Sequence, residues 1–179
     1  MARNIEIKAK IRNPSALRAT VSILAGPPVA IIQQTDTFFQ VPRGRLKLRE
    51  MPGVRAQLIS YDRQDTREPK LSNYFICETG DPDGLKAIFS AAFGIRGCVC
   101  KERHLHLIGQ TRIHLDWVQG LGHFLELEVV LRPDQQAMEG QTIARDLMAR
   151  LDIQESDLME KGYIDLLECG AGNDPPSGS

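Results

Sequence analysis

Apolar and charged residues alternate along several short segments of the chain with a period of two. Arg112, His114 and Asp116 occupy alternate positions in one such segment, and Glu126 and Glu128 do so in the next. Side chains two residues apart point to the same face of a β-strand. Each segment is therefore predicted to be a strand with one charged face and one apolar face.

The alternation and the turn residues between the segments predict eight strands in all. Turns that contain glycine or proline separate neighbouring strands, which favours hairpins and antiparallel pairing. The predicted strands span about residues 3–12, 33–41, 45–51, 54–62, 71–79, 97–107, 110–117 and 122–132. A first helix is predicted to begin at Pro14. Three more are predicted from Pro82 to about Phe93, from Pro133 through Leu151, and from Glu155 to Glu168. We expect one domain over residues 1–169 and a disordered tail over residues 170–179.

The charged faces of most predicted strands are basic, and carboxylates are concentrated in the first and last strands. Two arrangements fit this pattern. The faces could be ordinary solvent-exposed sides of sheets, or they could line a barrel whose apolar outside is covered by helices. Solvent-exposed faces usually mix the two signs of charge more evenly. We therefore favour the barrel, and the predicted fold class is α+β, an eight-stranded antiparallel β-barrel with flanking helices.

Composition narrows the class of partner. The chain has 179 residues and a formal net charge of −1, whereas a domain that binds a nucleic-acid duplex normally has a strong positive excess. The basic strands therefore indicate that the binding partner is a small polyanion and not a nucleic acid. The four cysteines form neither a CxxC pair nor a zinc-site spacing, and no segment has the character of a membrane span or signal peptide. We expect a soluble, cytoplasmic protein without a membrane partner, and a homodimer is an alternative to a monomer.

The cations of the charged faces form a candidate phosphate site. Planar guanidinium groups bind phosphate oxygens in pairs, and cations gathered inside a barrel would repel one another without an anion. The candidate phosphate-binding residues are Arg45, Lys47, Arg49, Arg55, Arg63, Lys101, Arg103 and Arg112. Lys8 and Lys10 belong to the same basic set. The chain has no P-loop and no GxSxG nucleophile elbow, which argues against P-loop phosphoryl transfer and ordinary acyl chemistry.

The carboxylates on the same faces are candidate ligands for a divalent cation. They are Glu6, Asp116, Glu126 and Glu128. Carboxylate oxygens in twos and threes suit Mg²⁺ or Mn²⁺, which we predict as the cofactor. The preferred set combines Glu6 with Glu126 or Asp116. Salt bridges with neighbouring arginines are the alternative role for each of them.

The histidines divide by parity. His104 and His106 lie on the parity opposite Lys101 and Arg103 and are predicted to face away from the site. His114 shares the parity of the charged residues and could orient a phosphate.

Six segments of the chain carry a family resemblance. They are NIEIKAKI, DTFFQVPRGRLKLRE, LISYDRQDTREPKLSNY, CKERHLHL, TRIHLDWVQGLGHFLELEV and KGYIDLL, in this order over about residues 3–168. Together they resemble the CYTH superfamily, also called triphosphate tunnel metalloenzymes, and LDWVQGLGHFLELE is most similar to its class IV adenylyl cyclase branch. The resemblance implies an eight-stranded antiparallel barrel that forms a tunnel lined with basic and acidic side chains.

The resemblance also implies roles for particular residues. The N-terminal signature of the family, ExExK, aligns with Asn4, Glu6 and Lys8, so an amide stands at its first acidic position. Asp116 and Glu126 match metal-binding carboxylates of the family. Phosphate-binding positions of the family match Lys47, Arg49, Lys101, Arg103 and Arg112. Asp62 stands where many relatives have a lysine, with Arg63 as its substitute.

The implied function is that of a Mg²⁺- or Mn²⁺-dependent enzyme acting on a triphosphate. The first interpretation is an adenylyl cyclase, a lyase that converts ATP to cyclic AMP and pyrophosphate. The alternatives are a hydrolase of thiamine triphosphate or tripolyphosphate, and a non-catalytic module that binds polyphosphate or nucleotide, which Asn4 would favour. The predicted catalytic residues are Glu6, Lys8 and Lys10, with the lysine at position 8 or 10 lowering the cost of deprotonating the nucleophile.

Overall fold

The computed structural model describes residues 2–63 and 66–171, and its eight strands all match predicted segments to within a few residues. The strands are β1 (Ala2–Lys10), β2 (Ala30–Phe39), β3 (Arg45–Glu50), β4 (Ala56–Arg63), β5 (Lys70–Thr79), β6 (Ile95–Ile108), β7 (Thr111–Val118) and β8 (Gly122–Val130). The helices are α1 (Pro14–Ala25), α2 (Pro82–Phe93), α3 (Ala137–Arg150) and α4 (Tyr163–Ala171), with a 3₁₀ turn at Glu155–Asp157.

The strands pair antiparallel in the order β1-β5-β4-β3-β2-β6-β7-β8, and β8 pairs with β1 to close a barrel. The predicted fold class is therefore confirmed. At one end of the barrel β1 ends and β5 begins, and we call this end the C-terminal mouth because the end of the chain covers it. The opposite end, where β5 ends and β7 begins, is called the open mouth.

Local sequence sets the ends of two helices. The Asn13 side chain accepts a hydrogen bond from the backbone N–H of Ala16 (3.1 Å), and Pro14 occupies the first turn of α1. Asp81 caps α2 in the same way, accepting from the backbone N–H of Gly84 at 2.9 Å. The third helix begins at Ala137, later than predicted from Pro133, because the preceding residues form a turn that leads into a capping box.

The main apolar core lies between the outside of the barrel and the helices. Val21 of α1 and Leu147 of α3 pack with Ile7, Ile113 and Leu127 from the outer faces of the strands, and all five are buried. The apolar parity of the strands therefore faces outward, as the sequence predicted. The charged parity faces the barrel interior, the lumen.

The C-terminal segment covers one end of the lumen. The backbone N–H of Met159 donates to the carbonyl of Lys8 (2.8 Å), and Leu158 forms a β-bridge with Ala9. Helix α4 follows, and its first residues Tyr163 and Ile164 are buried against the barrel.

Two further predictions concern the ends of the domain and membrane contact. Helix α4 continues to Ala171, so it enters the segment predicted as a tail, and residues 172–179 lie outside the described residues. Within the described ranges, none of the helices has the length and apolar character needed to cross a membrane.

Candidate active site in the barrel lumen

A cavity of about 130 Å³ occupies the lumen. Nine of the predicted site residues line it, namely Glu6, Lys8, Lys47, Arg49, Lys101, Arg103, Arg112, Glu126 and Glu128. They come from five strands, β1, β3, β6, β7 and β8. The period-two pattern therefore brings cations and carboxylates from distant parts of the chain into one enclosed space.

Three carboxylates form a compact group on one side of the lumen. Glu6, Glu126 and Glu128 each offer an oxygen atom, and these atoms all lie within 4.8 Å of one another. Glu6 and Glu128 are direct neighbours across the β1–β8 pair. Burial raises the pKa of Glu128, but the nearby His114 more than offsets this, and the pKa lies well below its usual value. Glu128 is therefore ionised at neutral pH.

Asn4 stands beside this carboxylate group, on the same face of β1 as Glu6. Its side-chain oxygen Oδ1 is buried and has no hydrogen-bond partner among the described residues. Buried polar atoms normally have a hydrogen-bond partner, so this oxygen is available to contact a bound ligand. An amide oxygen can coordinate a hard cation or accept a bond from water on it. The local chemistry therefore fits a divalent cation held mainly by the three carboxylates.

A buried aspartate joins three cations on another side of the lumen. Asp36 of β2 accepts hydrogen bonds from Lys47 Nζ (2.9 Å) and from Arg49 Nε (2.9 Å). Lys101 Nζ lies 3.6 Å from Asp36 Oδ2, and Gln34 Nε2 donates to that same oxygen at 2.9 Å. Burial alone would raise the pKa of Asp36, but the three cations hold it well below its ordinary value. Asp36 is therefore the anionic partner of the predicted phosphate-binding residues Lys47, Arg49 and Lys101.

The two lysines of this group are perturbed by burial. Loss of solvation and the positive charge of Arg49 lower the pKa of Lys47 to about 8. Loss of solvation and the positive charge of Arg103 lower the pKa of Lys101 to about 7. Both effects would be relieved by a bound anion, which favours the charged lysine. The electrostatics therefore favour polyanion binding in the lumen.

Arg103 is fixed in place by Asp116. Its Nε and Nη2 atoms donate to the two oxygens of Asp116 at 2.7 and 2.6 Å, and Nη2 also contacts Glu126. The hydroxyl of Tyr163 donates to Asp116 at 2.9 Å. Asp116 is therefore held by a buried network and lies outside the three-carboxylate group, and its role as a metal ligand stays a prediction. Asp116 forms a salt bridge with Arg103, which is the alternative role predicted for these carboxylates.

Lys8 connects the carboxylate group to the C-terminal mouth. Its Nζ donates to Glu126 Oε1 at 2.8 Å and lies 3.6 Å from the centre of the Tyr163 ring. A cation over an aromatic ring is attracted to the electron density of the ring face. Lys8 is therefore held between Glu126 and Tyr163 and lines the lumen cavity.

Three of the other predicted residues, Lys10, Arg45 and Arg55, do not line this cavity. Lys10 is exposed beyond the C-terminal mouth, and Arg55 is exposed in the turn before β4. Arg45 lies at the start of β3, with its guanidinium carbon 5.9 Å from the centre of the Tyr61 ring. The side chain of Arg63 lies outside the described part of the structure. Parity alone placed Lys10, Arg45 and Arg55 on the inner face, but these three stand at or past the ends of their strands, where that face no longer borders the lumen.

The histidine predictions also divide. His104 and His106 lie on the outer face, as predicted, and Nδ1 of His106 lies 3.0 Å from the carbonyl oxygen of Gly26. His114 is buried and does not line the cavity; its Nε2 lies 3.3 Å from Glu128 Oε2. Burial and the charge of Arg103 lower the pKa of His114. Its contact is therefore with a carboxylate of the site, and its role in orienting a phosphate stays a prediction.

Two hydrogen-bonding residues of the site, Asp36 and Tyr163, were not predicted from the sequence. Asp36 alternates with Gln34 and Phe38 in a predicted strand, so the period-two signal was present but a lone acid was not singled out. Tyr163 lies in KGYIDLL, which looked like an ordinary amphipathic helix. Nothing in that local pattern indicates insertion into the lumen.

Comparison with known proteins identifies the family. The family model of the CYTH domain matches residues 2–163 of the chain. The chain belongs to the CYTH family. No curated protein matches the chain. The family assignment confirms the resemblance read from the sequence.

Solved structures share the CYTH fold with this chain. The PH1012 protein of Pyrococcus horikoshii OT3 is 26% identical, with a TM-score of 0.82, covering 91% of this chain and 98% of its own. A candidate adenylate cyclase from Vibrio parahaemolyticus is 20% identical, with a TM-score of 0.74 and coverage of 92% and 97%. HpAC1 from Hippeastrum, a candidate adenylyl cyclase with a dominant triphosphatase activity, is 14% identical, with a TM-score of 0.64 and coverage of 98% of both chains.

Proposed function

We propose that this CYTH protein is a divalent-cation-dependent enzyme that cleaves a triphosphate bound in the lumen. The observation that carries the proposal is the meeting of two groups in one cavity. These are the carboxylates Glu6, Glu126 and Glu128 and the cations around Asp36. Triphosphate cleavage depends on charge neutralisation and positioning more than on covalent chemistry, and this cavity supplies both.

The cations have distinct tasks in this proposal. Lys47, Arg49 and Lys101 share one carboxylate, Asp36, so their remaining hydrogen-bond donors can bind phosphate oxygens. Arg103 is held in a fixed orientation by Asp116, so it presents its charge without a further loss of side-chain freedom on binding. In a site with little water, charged groups that are fixed in position before the ligand binds stabilise developing charge more than flexible groups do.

Glu6, Glu126 and Glu128 would hold Mg²⁺ or Mn²⁺, with the Asn4 oxygen as a further contact. A divalent cation bound there would neutralise phosphate charge and stabilise the charge that develops on the leaving group. Lys8 holds Glu126 through its ammonium group and so positions one of these carboxylates. Lys8 also stands close enough to the lumen to stabilise a nucleophile that loses its proton.

Two reactions start from the same bound complex. In cyclisation the ribose 3′-oxygen of ATP attacks the α-phosphorus and pyrophosphate leaves. In hydrolysis a water molecule attacks the terminal phosphorus, the bond from that phosphorus to the bridging oxygen breaks, and the diphosphate leaves; the attacked phosphoryl group becomes orthophosphate. The sequence resemblance supports cyclisation first, and hydrolysis of ATP, thiamine triphosphate or tripolyphosphate is the alternative. The products decide between the two reactions.

The experiment incubates the purified protein with ATP, thiamine triphosphate or tripolyphosphate and either Mg²⁺ or Mn²⁺. Cyclic AMP with pyrophosphate identifies a cyclase, and orthophosphate identifies a hydrolase. Glu126→Gln and Glu6→Gln should each lower metal-dependent turnover at least 100-fold, because loss of one directly involved charge typically costs that much. Glu102→Gln is the matched control, since Glu102 lies on the outer face of β6 with a side chain that is 40% exposed.

Melting curves check that each variant is folded. Ligand binding without any turnover would show a non-catalytic binding module and would contradict the enzymatic proposal. Full turnover with unchanged metal dependence in both variants would show that the carboxylate group is not the site.

A further inference from the structure

The three-carboxylate group in the lumen is partly neutralised by cations of the chain itself. Glu126 accepts a hydrogen bond from Lys8 Nζ at 2.8 Å and also contacts Arg103. Glu128 Oε2 lies 3.5 Å from Arg112 Nη1. At least two of the three carboxylates therefore have a cationic partner before any ligand binds.

Asn4 occupies the inward-facing position of β1 between Glu6 and the open mouth, and it adds no charge to this group. Its side chain lines the cavity and is 5% exposed, and its Oδ1 has no hydrogen-bond partner among the described residues. Its direct partners on the neighbouring strands, Ser72 of β5 and Val130 of β8, are also uncharged. An aspartate at this position would have nearly the same volume and would add one negative charge beside the three carboxylates.

This balance of charge opposes the binding of a divalent cation on its own. Lys8 and Arg103 occupy oxygens of Glu126 that a cation would need, and their positive charges repel it. The number of charged ligands also tunes the affinity of an oxygen site for divalent cations. The empty lumen therefore binds a cation more weakly with asparagine at position 4 than it would with aspartate there.

A bound polyphosphate reverses this balance. Arg103 and Arg112 are candidate phosphate contacts, and anionic oxygens beside them would offset the positive charge that opposes a cation at Glu126 and Glu128. Phosphate oxygens are also common ligands of Mg²⁺ alongside one or two carboxylates. Each ligand therefore improves the site for the other, and such a coupling is reciprocal by thermodynamic linkage.

We infer that Asn4 keeps the cation affinity of the empty lumen low, so that a divalent cation is held tightly only while a triphosphate occupies the site. The inference rests on the proposed function, because it assumes that both ligands bind in the lumen. It gives Asn4 a second role besides contact, which is to limit the negative charge of the empty site. The neutral amide oxygen remains able to contact the ion or a water molecule on it.

The test measures Mn²⁺ binding in the absence of phosphate by electron paramagnetic resonance, which detects the free aqua ion and does not depend on turnover. Calorimetry then gives the Kd of the bis-imido analogue of tripolyphosphate, which resists hydrolysis, both without metal and as its preformed Mn²⁺ complex. The unmodified protein is compared with Asn4→Asp. Asn4→Glu places the same charge on a longer side chain, so it serves if melting curves show that Asn4→Asp is misfolded.

Asn4→Asp should bind Mn²⁺ alone at least about 10-fold more tightly than the unmodified protein, which is the lower end of the effects typical for residues that support a metal site. The same variant should bind the metal-free analogue more weakly, because the added carboxylate repels it. The unmodified protein should bind the Mn²⁺ complex of the analogue more tightly than the metal-free analogue. Asn73→Asp is the matched control, because Asn73 adjoins Ser72 on β5 but lies on the outer face of the barrel, opposite Arg3.

The outcomes separate this inference from the proposed function. Tighter binding of Mn²⁺ alone in the acidic variant of position 4, and not in Asn73→Asp, supports the inference. Equal affinity for Mn²⁺ alone in the unmodified protein and the acidic variant overturns the inference, and the proposed function stands if the Mn²⁺ complex of the analogue still binds. Failure of the analogue to bind the unmodified protein in either form overturns the proposed function, and the inference with it.

Discussion

Replacing Asp36 by asparagine tests the electrostatic centre of the lumen. The change keeps the size of the side chain and removes the negative charge shared by Lys47, Arg49 and Lys101. Asp36 is almost completely buried, so water cannot take over its role. Removing one partner of a buried ion pair costs about 3 to 5 kcal/mol, because the remaining charge stays uncompensated. For a domain of this size that loss lowers the melting temperature by roughly 6 to 20 °C.

The penalty should depend on pH in a defined direction. Lys47 and Lys101, with pKa values of about 8 and 7, are both mainly charged at pH 6 and mainly neutral at pH 9. Asp36 is ionised at both values, because its pKa lies below the ordinary range. At pH 9 the aspartate offsets mainly the charge of Arg49, so its loss should cost less than at pH 6. Tripolyphosphate should stabilise Asp36→Asn more than the unmodified protein, since the anion supplies the missing negative charge.

The assay is urea denaturation at pH 6 and pH 9, with and without tripolyphosphate, followed by circular dichroism. Asp146→Asn serves as the control, because Asp146 is 68% exposed in a surface pair with Arg150 and should change stability by less than about 1 kcal/mol. An Asp36→Asn protein as stable as the unmodified one at pH 6 would refute the view that Asp36 compensates the three cations. An equal penalty at both pH values would refute the assigned protonation of the lysines.

Two further predictions concern the same cavity. Tyr163→Phe should destabilise the protein by about 1 to 2 kcal/mol in urea denaturation, because Asp116 loses one hydrogen bond but keeps both bonds from Arg103; unchanged stability would contradict a bonded, buried hydroxyl. Binding of tripolyphosphate at pH 8 should take up protons, because the anion favours the charged forms of Lys47 and Lys101. Calorimetry in two buffers of different ionisation enthalpy measures this uptake, and a value of zero would contradict the proposed contacts.

The sequence by itself determined which residues face the lumen along most strands. A period of two fixes the face of a side chain from its strand alone, which is why Glu6, Lys47, Arg103 and Glu126 were correctly placed inside. The same pattern fixed the apolar outer face that packs under the helices. These features follow from local backbone geometry and the burial of apolar surface, so no knowledge of strand order was needed.

Only the tertiary structure decided how deep each residue lies and what it meets. Depth depends on strand tilt and stagger after the barrel closes, so Lys10 and Arg55 share the inner parity yet lie at the ends of the barrel. Asp36 and Lys101 lie on the paired strands β2 and β6, which are far apart in the chain, so the pattern within one strand could not show that they meet. Asp116 and Arg103 are direct partners in the β6–β7 hairpin, and their contact depends on the register of that pair.

The contacts of the C-terminal helix α4 could not be predicted from its local sequence pattern either. Its amphipathic pattern predicted a helix, but the insertion of Tyr163 depends on the Met159–Lys8 backbone bond and on the network around Asp116. Those partners lie in β1 and β7, far from α4 in the chain. Local pattern specifies which face of a segment is apolar, whereas closure of the barrel specifies which surface that face will cover.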